Sequence, residues 1–353
     1  MNLEGVEKIA EAVLYEGYML YPYRASSVKN QQRWNFGVLS PRSFTEKQTG
    51  SDAWMMQTEC LLQADTSTQL EIEIRFLQIV NRSAARLTEP LRELASDKEP
   101  AFELVDKLVV DGRTFIPWQE ACERKVCLPT LYPAAFTLHR SSFFEFRSKR
   151  ELEPLRNQRG LIEGIVIREW QTLLGSVEVD LKEARSGVIK TTVRLRNLTM
   201  PGPQQIASRS GALPHSLVSA HTILGALGGQ FVSLLEPPQE LSDLAAECTN
   251  LGTWPVLVGE EGERSTMLSS PIILYDYPQI APESPGSLFD GTEIDEILSL
   301  RILTMTDEEK QEMRRSDEHA REILERTESM PPEQFMKLHG VLRGLHPALK
   351  ETQ

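Results

Sequence analysis

The sequence predicts an α+β fold: a strand-rich antiparallel body, sandwich-like or a strongly curved sheet, with a buried helix near residues 213–235 and a helical C-terminal tail. Alternating apolar and polar residues predict the strands, as in the series that begins Leu70-Glu-Ile-Glu-Ile. A long stretch without charged residues predicts the buried helix. A charged segment that opens with a capping box, Thr306-Asp-Glu-Glu309, predicts the tail.

The first element is an amphipathic helix over residues 3–19, because its apolar residues recur at helical spacing. Strands are then expected over four segments of residues 55–146 and again over residues 160–199. In the segment 69–80 the apolar residues predict a core face, and the alternating Glu71, Glu73 and Arg75 predict a solvated face. The first four strand segments are 55–64, 69–80, 104–110 and 143–146.

The uncharged stretch runs from Ser210 to Leu235 and contains neither acidic residues nor lysine or arginine. Its histidines and hydroxyl groups favour a buried core helix over a membrane span. Prolines 237 and 238 end this predicted helix, and strands are expected at 253–258 and 270–275.

Three helices are predicted in the tail, over residues 292–303, 306–328 and 331–345. The predicted domains are an N-terminal helix with a strand-rich region at 1–155, a second strand-rich region with the buried helix at 156–291, and the charged tail at 292–353. The first boundary rests on the charged stretch Lys149–Arg159.

Composition narrows the classes of function. A formal charge of −13 disfavours nonspecific binding to nucleic acid or anionic lipid. The four cysteines form no Cys-x-x-Cys pair, and the acidic N-terminus lacks a signal-peptide pattern, so a cytoplasmic protein with reduced thiols is expected. The sequence holds no P-loop, Gly-x-Gly-x-x-Gly or Gly-x-Ser-x-Gly motif. We therefore expect no catalytic residue, no metal site and no cofactor, and a protein partner in their place.

Residues 20–34 combine aromatic and basic side chains without an acid, within an acidic protein. Such a mixture is typical of interface hot spots, so this segment is the first candidate partner surface. Two alternatives stay open: a small-anion site formed by Arg24, Lys29 and Arg33, and an internal clamp that pairs with the protein's own carboxylates. The candidate residues are Tyr21, Tyr23, Arg24, Lys29, Arg33 and Trp34.

The segment 271–296 is the second candidate, because a predicted strand leads into a loop rich in proline and acidic residues. A docking loop would use Tyr275, Asp276, Tyr277 and Asp290 for partner binding. The alternatives are a plain solvated loop and an enzyme site built from the acidic residues of 276–296 with His221.

These segments also carry a family resemblance. Tyr21-Pro-Tyr-Arg24 through Phe36-Gly37, Leu268 to Pro278, and Phe289 to Leu298 resemble a protein family encoded beside actinobacterial-type, high-affinity uptake nickel–iron hydrogenases. The resemblance implies a hydrogenase accessory protein that acts in assembly, maturation or stabilisation of that enzyme. It implies hydrogenase subunits or maturation factors as partners.

Overall fold

The computed structural model describes residues 3–15, 36–47, 52–95, 98–133 and 137–279, and five residues of the tail. The chain divides into two compact units, one of residues 1–18 and 33–279, the other of residues 19–32 and 280–353. In the second unit the described residues are helical, and the Lys310 ammonium lies 3.4 Å from the Glu328 carboxylate. The rest of the predicted tail helices lies outside the described residues.

The first unit is mostly β-structure. Four α-helices are described in it: α1 (Leu3–Tyr15), α2 (Arg42–Thr45), α3 (Arg209–Ala212) and α4 (Ser242–Ala246). The strands are β1 (Met55–Gln63), β2 (Gln69–Leu91), β3 (Phe102–Val105), β4 (Leu108–Val110), β5 (Arg113–Phe115), β6 (Trp118–Cys127), β7 (Thr137–Phe146), β8 (Lys149–Arg156), β9 (Ile162–Trp170), β10 (Leu173–Arg185), β11 (Val188–Asn197), β12 (Val218–Leu227), β13 (Gln230–Phe231), β14 (Trp254–Leu257) and β15 (Thr266–Ser270).

The strands form two large antiparallel sheets, which confirms the strand-rich antiparallel body. Sheet 1 has the order β13-β1-β11-β10-β7. Sheet 2 has the order β14-β15-β12-β2-β9-β8, and β4 and β5 form a separate hairpin. The long strand β2 also pairs with β6 over residues 73–82 and with β3 over residues 84–87.

The main core lies between the two sheets. The predicted inward series of β2 is correct: Leu70, Ile72, Ile74 and Phe76 are buried in one cluster with residues of both sheets. The alternation of apolar residues therefore predicted the core face of this strand correctly.

Helix α1 covers part of the opposite face of sheet 2. Val6, Ala10 and Val13 pack against Ile223 of β12 and Leu268 of β15. Because the outer face is covered here, the expectation that Arg75 lies on a solvated face is wrong, and only 1% of its surface is exposed.

The prediction of a buried helix near residues 213–235 is wrong. Residues Val218–Leu227 form the strand β12, which lies between β15 and β2 and is buried on both faces. A strand covered on both faces lacks polar alternation, so its sequence resembles that of a buried helix. Residues 270–275 also differ from the prediction, because the strand there is Thr266–Ser270 and the chain leaves the sheet afterwards.

Strands from the predicted regions 1–155 and 156–291 share both large sheets, since β1 pairs with β11 and β2 pairs with β9 and β12. Within the described part of the chain, no helix is long and apolar enough to cross a membrane.

Candidate contact site

The segment 271–279 leaves β15 and is fastened to the neighbouring strand β14. The Asp276 carboxylate accepts a hydrogen bond from the Leu257 amide at 2.7 Å and another from the Ser233 hydroxyl. The Tyr277 amide donates to the Leu257 carbonyl at 2.7 Å, and the Tyr277 side chain packs against the main core. These bonds hold the backbone of the segment in place.

Side chains of this segment alternate between the protein and the solvent. Ile272 and Leu274 pack against the apolar cluster beneath α1. Ile273 is 73% exposed and Tyr275 is 87% exposed. An isoleucine and a tyrosine thus project from a backbone that is anchored beneath them.

Residues 36–40 lie beside the start of this segment. A Cβ atom added to Gly37 would approach the Pro271 ring to 2.5 Å, and Gly37 has a φ of +54° that favours glycine. Phe36 precedes this contact and is 45% exposed. Two segments that are far apart in sequence therefore meet here.

A bulge in β12 supports residues 36–37. The amides of Ser219 and Ala220 donate to the carbonyls of Phe36 and Gly37, both at 3.1 Å. Pairing between β12 and β2 is irregular at this point, and Ser219 has a φ of +54°. Its hydroxyl donates to the Val13 carbonyl of α1 at 2.9 Å. The bulge therefore joins α1, residues 36–37 and sheet 2.

His221 follows the bulge and is fully buried. Its Nδ1 lies 3.0 Å from the Ser219 carbonyl, which can only accept a hydrogen bond, so Nδ1 carries the proton. Burial lowers the pKa of His221 to about 4, and the ring is therefore neutral near pH 7. No group among the described residues forms a hydrogen bond with its Nε2 atom.

Arg75 is the register partner of His221 on β2 and forms an ion pair with Glu73. Its guanidinium also lies 3.4 Å from the Glu7 carboxylate of α1. The Arg75 side chain is 1% exposed, whereas that of Glu7 is 42% exposed. This buried cation connects α1 to sheet 2.

Three residues of the predicted site lie in the described part of the chain. Asp276 and Tyr277 fasten the segment, and Tyr275 faces the solvent. His221 lies on β12, whereas Asp276 is bonded to Leu257 of β14, and β15 lies between these two strands. The other predicted residues lie outside the described residues: Tyr21, Tyr23, Arg24, Lys29, Arg33, Trp34 and Asp290.

Sequence reasoning missed Ile273 and did not assign Phe36 to the contact site. The signal for Ile273 was present, because four successive residues from Ile272 to Tyr275 are apolar or aromatic and a strand-like backbone turns every second one outward. The described residues contain no cluster of three histidine, cysteine or acidic side chains arranged to hold a metal ion.

No protein-family model matches the chain, and no curated protein shows significant similarity to it. The site presents the exposed side chains of Ile273 and Tyr275 on a backbone that hydrogen bonds hold in place. This arrangement is suited to binding another macromolecule.

Proposed function

We propose that this chain is a non-catalytic accessory protein that acts through protein–protein contact, in the assembly, maturation or stabilisation of a nickel–iron hydrogenase. The observation that carries the contact function is the 87% exposure of Tyr275 on a segment fixed by Asp276 and Tyr277. The hydrogenase part rests on the sequence resemblance alone.

The energetics of association favour such an anchor. Tyrosine buries a large area with few rotatable bonds, so it loses little conformational entropy when a partner covers it. A backbone that is already fixed lowers the cost further, because the segment does not have to become ordered on binding. Ile273, two residues away on the same side of the segment, adds apolar area to the same contact.

The meeting of Gly37 with Pro271 places Phe36 beside the segment that presents Tyr275. Phe36 and Gly37 follow the aromatic–basic segment 20–34 after Asn35, and Pro271 opens the second candidate segment. Arg24 and Trp34 are proposed as contact residues on the sequence alone.

The test is a pull-down of the tagged full-length protein from the cell that produces it, with bound proteins identified and quantified by mass spectrometry. We expect hydrogenase subunits or maturation factors with the wild-type protein. Tyr275→Ala should reduce their recovery about tenfold, the loss expected of a hot-spot residue. Met200→Ala is the matched control, because Met200 is also 87% exposed.

Two further measurements separate the parts of the proposal. Thermal unfolding of Tyr275→Ala, Arg24→Ala and Trp34→Ala should match that of the wild type, since a contact residue contributes little to the isolated fold; loss of folding would make the replaced residue structural. Equal recovery with Tyr275→Ala and Met200→Ala would remove Tyr275 from the contact site. Recovery of other proteins in place of hydrogenase components would remove the hydrogenase role.

A further inference from the structure

Strand β7 forms one edge of sheet 1. Among the described strands it pairs only with β10, over residues 137–146. The backbone amides and carbonyls along its other edge therefore have no strand partner in the described part of the chain. Such an edge is a template onto which another strand can add.

Strand β7 carries fewer features that oppose strand addition than the edge strands β6, β8 and β14 do. Proline interrupts β8 at residue 154 and β14 at residue 255. Strand β6 carries four charged residues in ten. Strand β7 has no proline, and Phe143 near its centre is 77% exposed. Charges and proline are the usual protection of an edge strand, so β7 is the least protected of these edges.

The sequence of β7 is complementary to itself in one antiparallel register. A two-fold axis perpendicular to the sheet keeps each face of the sheet continuous, so residues that oppose each other must point to the same face. With the axis at Ser142, His139 of each copy opposes Glu145 of the other. Arg140 then opposes Phe144, which allows a cation–π contact.

Neighbouring registers lack this complementarity. With the axis at Phe143, His139 opposes Arg147, and two basic groups meet. With the axis at Ser141, His139 opposes Phe143, and Glu145 opposes Thr137. Register is therefore specified by the charged residues near the two ends of the strand.

The position of His139 fits the Ser142 register. Its Nδ1 lies 2.6 Å from the Asp180 carboxylate on β10, and the His139 side chain is 65% exposed. Because Asp180 occupies Nδ1, the other ring nitrogen is left for the Glu145 carboxylate of the second copy. Asp180 thus fixes the imidazole in an orientation that serves this contact.

We propose that β7 pairs with β7 of a second copy of this chain, antiparallel about a two-fold axis at Ser142, so that sheet 1 continues across a homodimer. This interface uses neither Tyr275 nor Ile273, and it stands independently of the hydrogenase role.

Light scattering on the full-length protein over a series of concentrations tests the interface. The wild type should form a dimer as concentration rises. Phe143→Lys should weaken the dimer about tenfold or more, because the two copies of residue 143 are diagonal neighbours across the axis and two lysines would repel. Met200→Lys should leave the dimer unchanged. Thermal unfolding of the Phe143→Lys monomer should match that of the wild type at a concentration at which the wild type is also monomeric, since this side chain is exposed.

Disulfide cross-linking tests the register. In a Cys127→Ser background, which removes the exposed native thiol, Ser142→Cys should cross-link two copies under mild oxidation. The adjacent Ser141→Cys variant should not, because its equivalents lie apart in this register. A wild-type protein that stays monomeric at every concentration, or a dimer that Phe143→Lys does not weaken, would overturn the interface. Cross-linking through residue 141 instead of 142 would overturn the register.

Discussion

Asn197 is a buried polar junction whose loss should destabilise the fold strongly. Its side-chain amide donates to the carbonyls of Leu39 at 2.7 Å and His215 at 2.9 Å, and its carbonyl accepts from the Thr199 amide at 2.9 Å. Asn197 is fully buried. It thereby joins the end of β11 to residues 36–40, which form one side of the candidate contact site.

Asn197→Ala removes all three bonds and leaves the His215 carbonyl and the Thr199 amide buried without a partner, whereas the Leu39 carbonyl keeps the bond from the Leu217 amide at 3.1 Å. Each such group costs about 1–3 kcal/mol when it is kept from water. We therefore expect a loss of about 2–6 kcal/mol in the free energy of unfolding, with some relief where water enters the cavity. Equilibrium unfolding in urea, followed by circular dichroism, measures this loss.

Asn157 supplies a matched control. Its side chain also makes three hydrogen bonds. The side-chain carbonyl accepts from the amides of Arg159 and Leu161, and the side-chain amide donates to the Glu163 carboxylate. These bonds lie in a turn between β8 and β9, where water can replace them. Asn157→Ala should therefore cost only about 1–2 kcal/mol. Equal losses for the two variants would contradict the view that burial of the unpaired groups, and not the number of bonds, determines the cost.

Two further predictions concern a backbone contact and a charge. Gly37→Ala should lower the free energy of unfolding by about 1–3 kcal/mol, because φ is +54° and the new methyl group would meet the Pro271 ring. Gly112 has a φ of +73° and open space around it, so Gly112→Ala should lower the free energy of unfolding by less. Urea unfolding measures both losses. Burial raises the pKa of Glu59, but Lys190 and nearby hydrogen bonds outweigh this effect and hold it below 4.5. The stabilisation from Glu59 should thus be present above pH 4.5 and lost as pH falls through the lowered pKa. Urea unfolding over this pH range should show a smaller loss of stability in Glu59→Gln than in the wild type.

The strands that the sequence predicted correctly are those with two different faces. In β2 the inward residues are apolar and most of the others are polar, so the period of two was visible. The same reasoning failed for Arg75, because the sequence of β2 contains no information about α1, which covers this part of the outer face. It also failed for β12, where α1 and the main core bury the two faces and remove the alternation.

The candidate contact site was partly predictable for a related reason. Composition marked residues 271–277 as unusual, and Tyr275 is exposed as a contact residue requires. Composition did not separate Tyr275 from Asp276 and Tyr277, because their roles depend on Leu257 and Ser233, which belong to other elements. An aspartate that accepts two hydrogen bonds from its own protein looks, in sequence, the same as one that faces a partner.

The contact between Gly37 and Pro271 connects stability with the proposed binding surface. Phe36 and Gly37 accept hydrogen bonds from the β12 bulge, and Pro271 begins the segment that presents Tyr275. A side chain added at Gly37 must move one of these two segments, since the Pro271 ring occupies its place. The change would displace Phe36 relative to Tyr275 without altering either side chain. Gly37→Ala should therefore weaken partner binding even under conditions in which the protein remains folded, whereas Gly112→Ala should not.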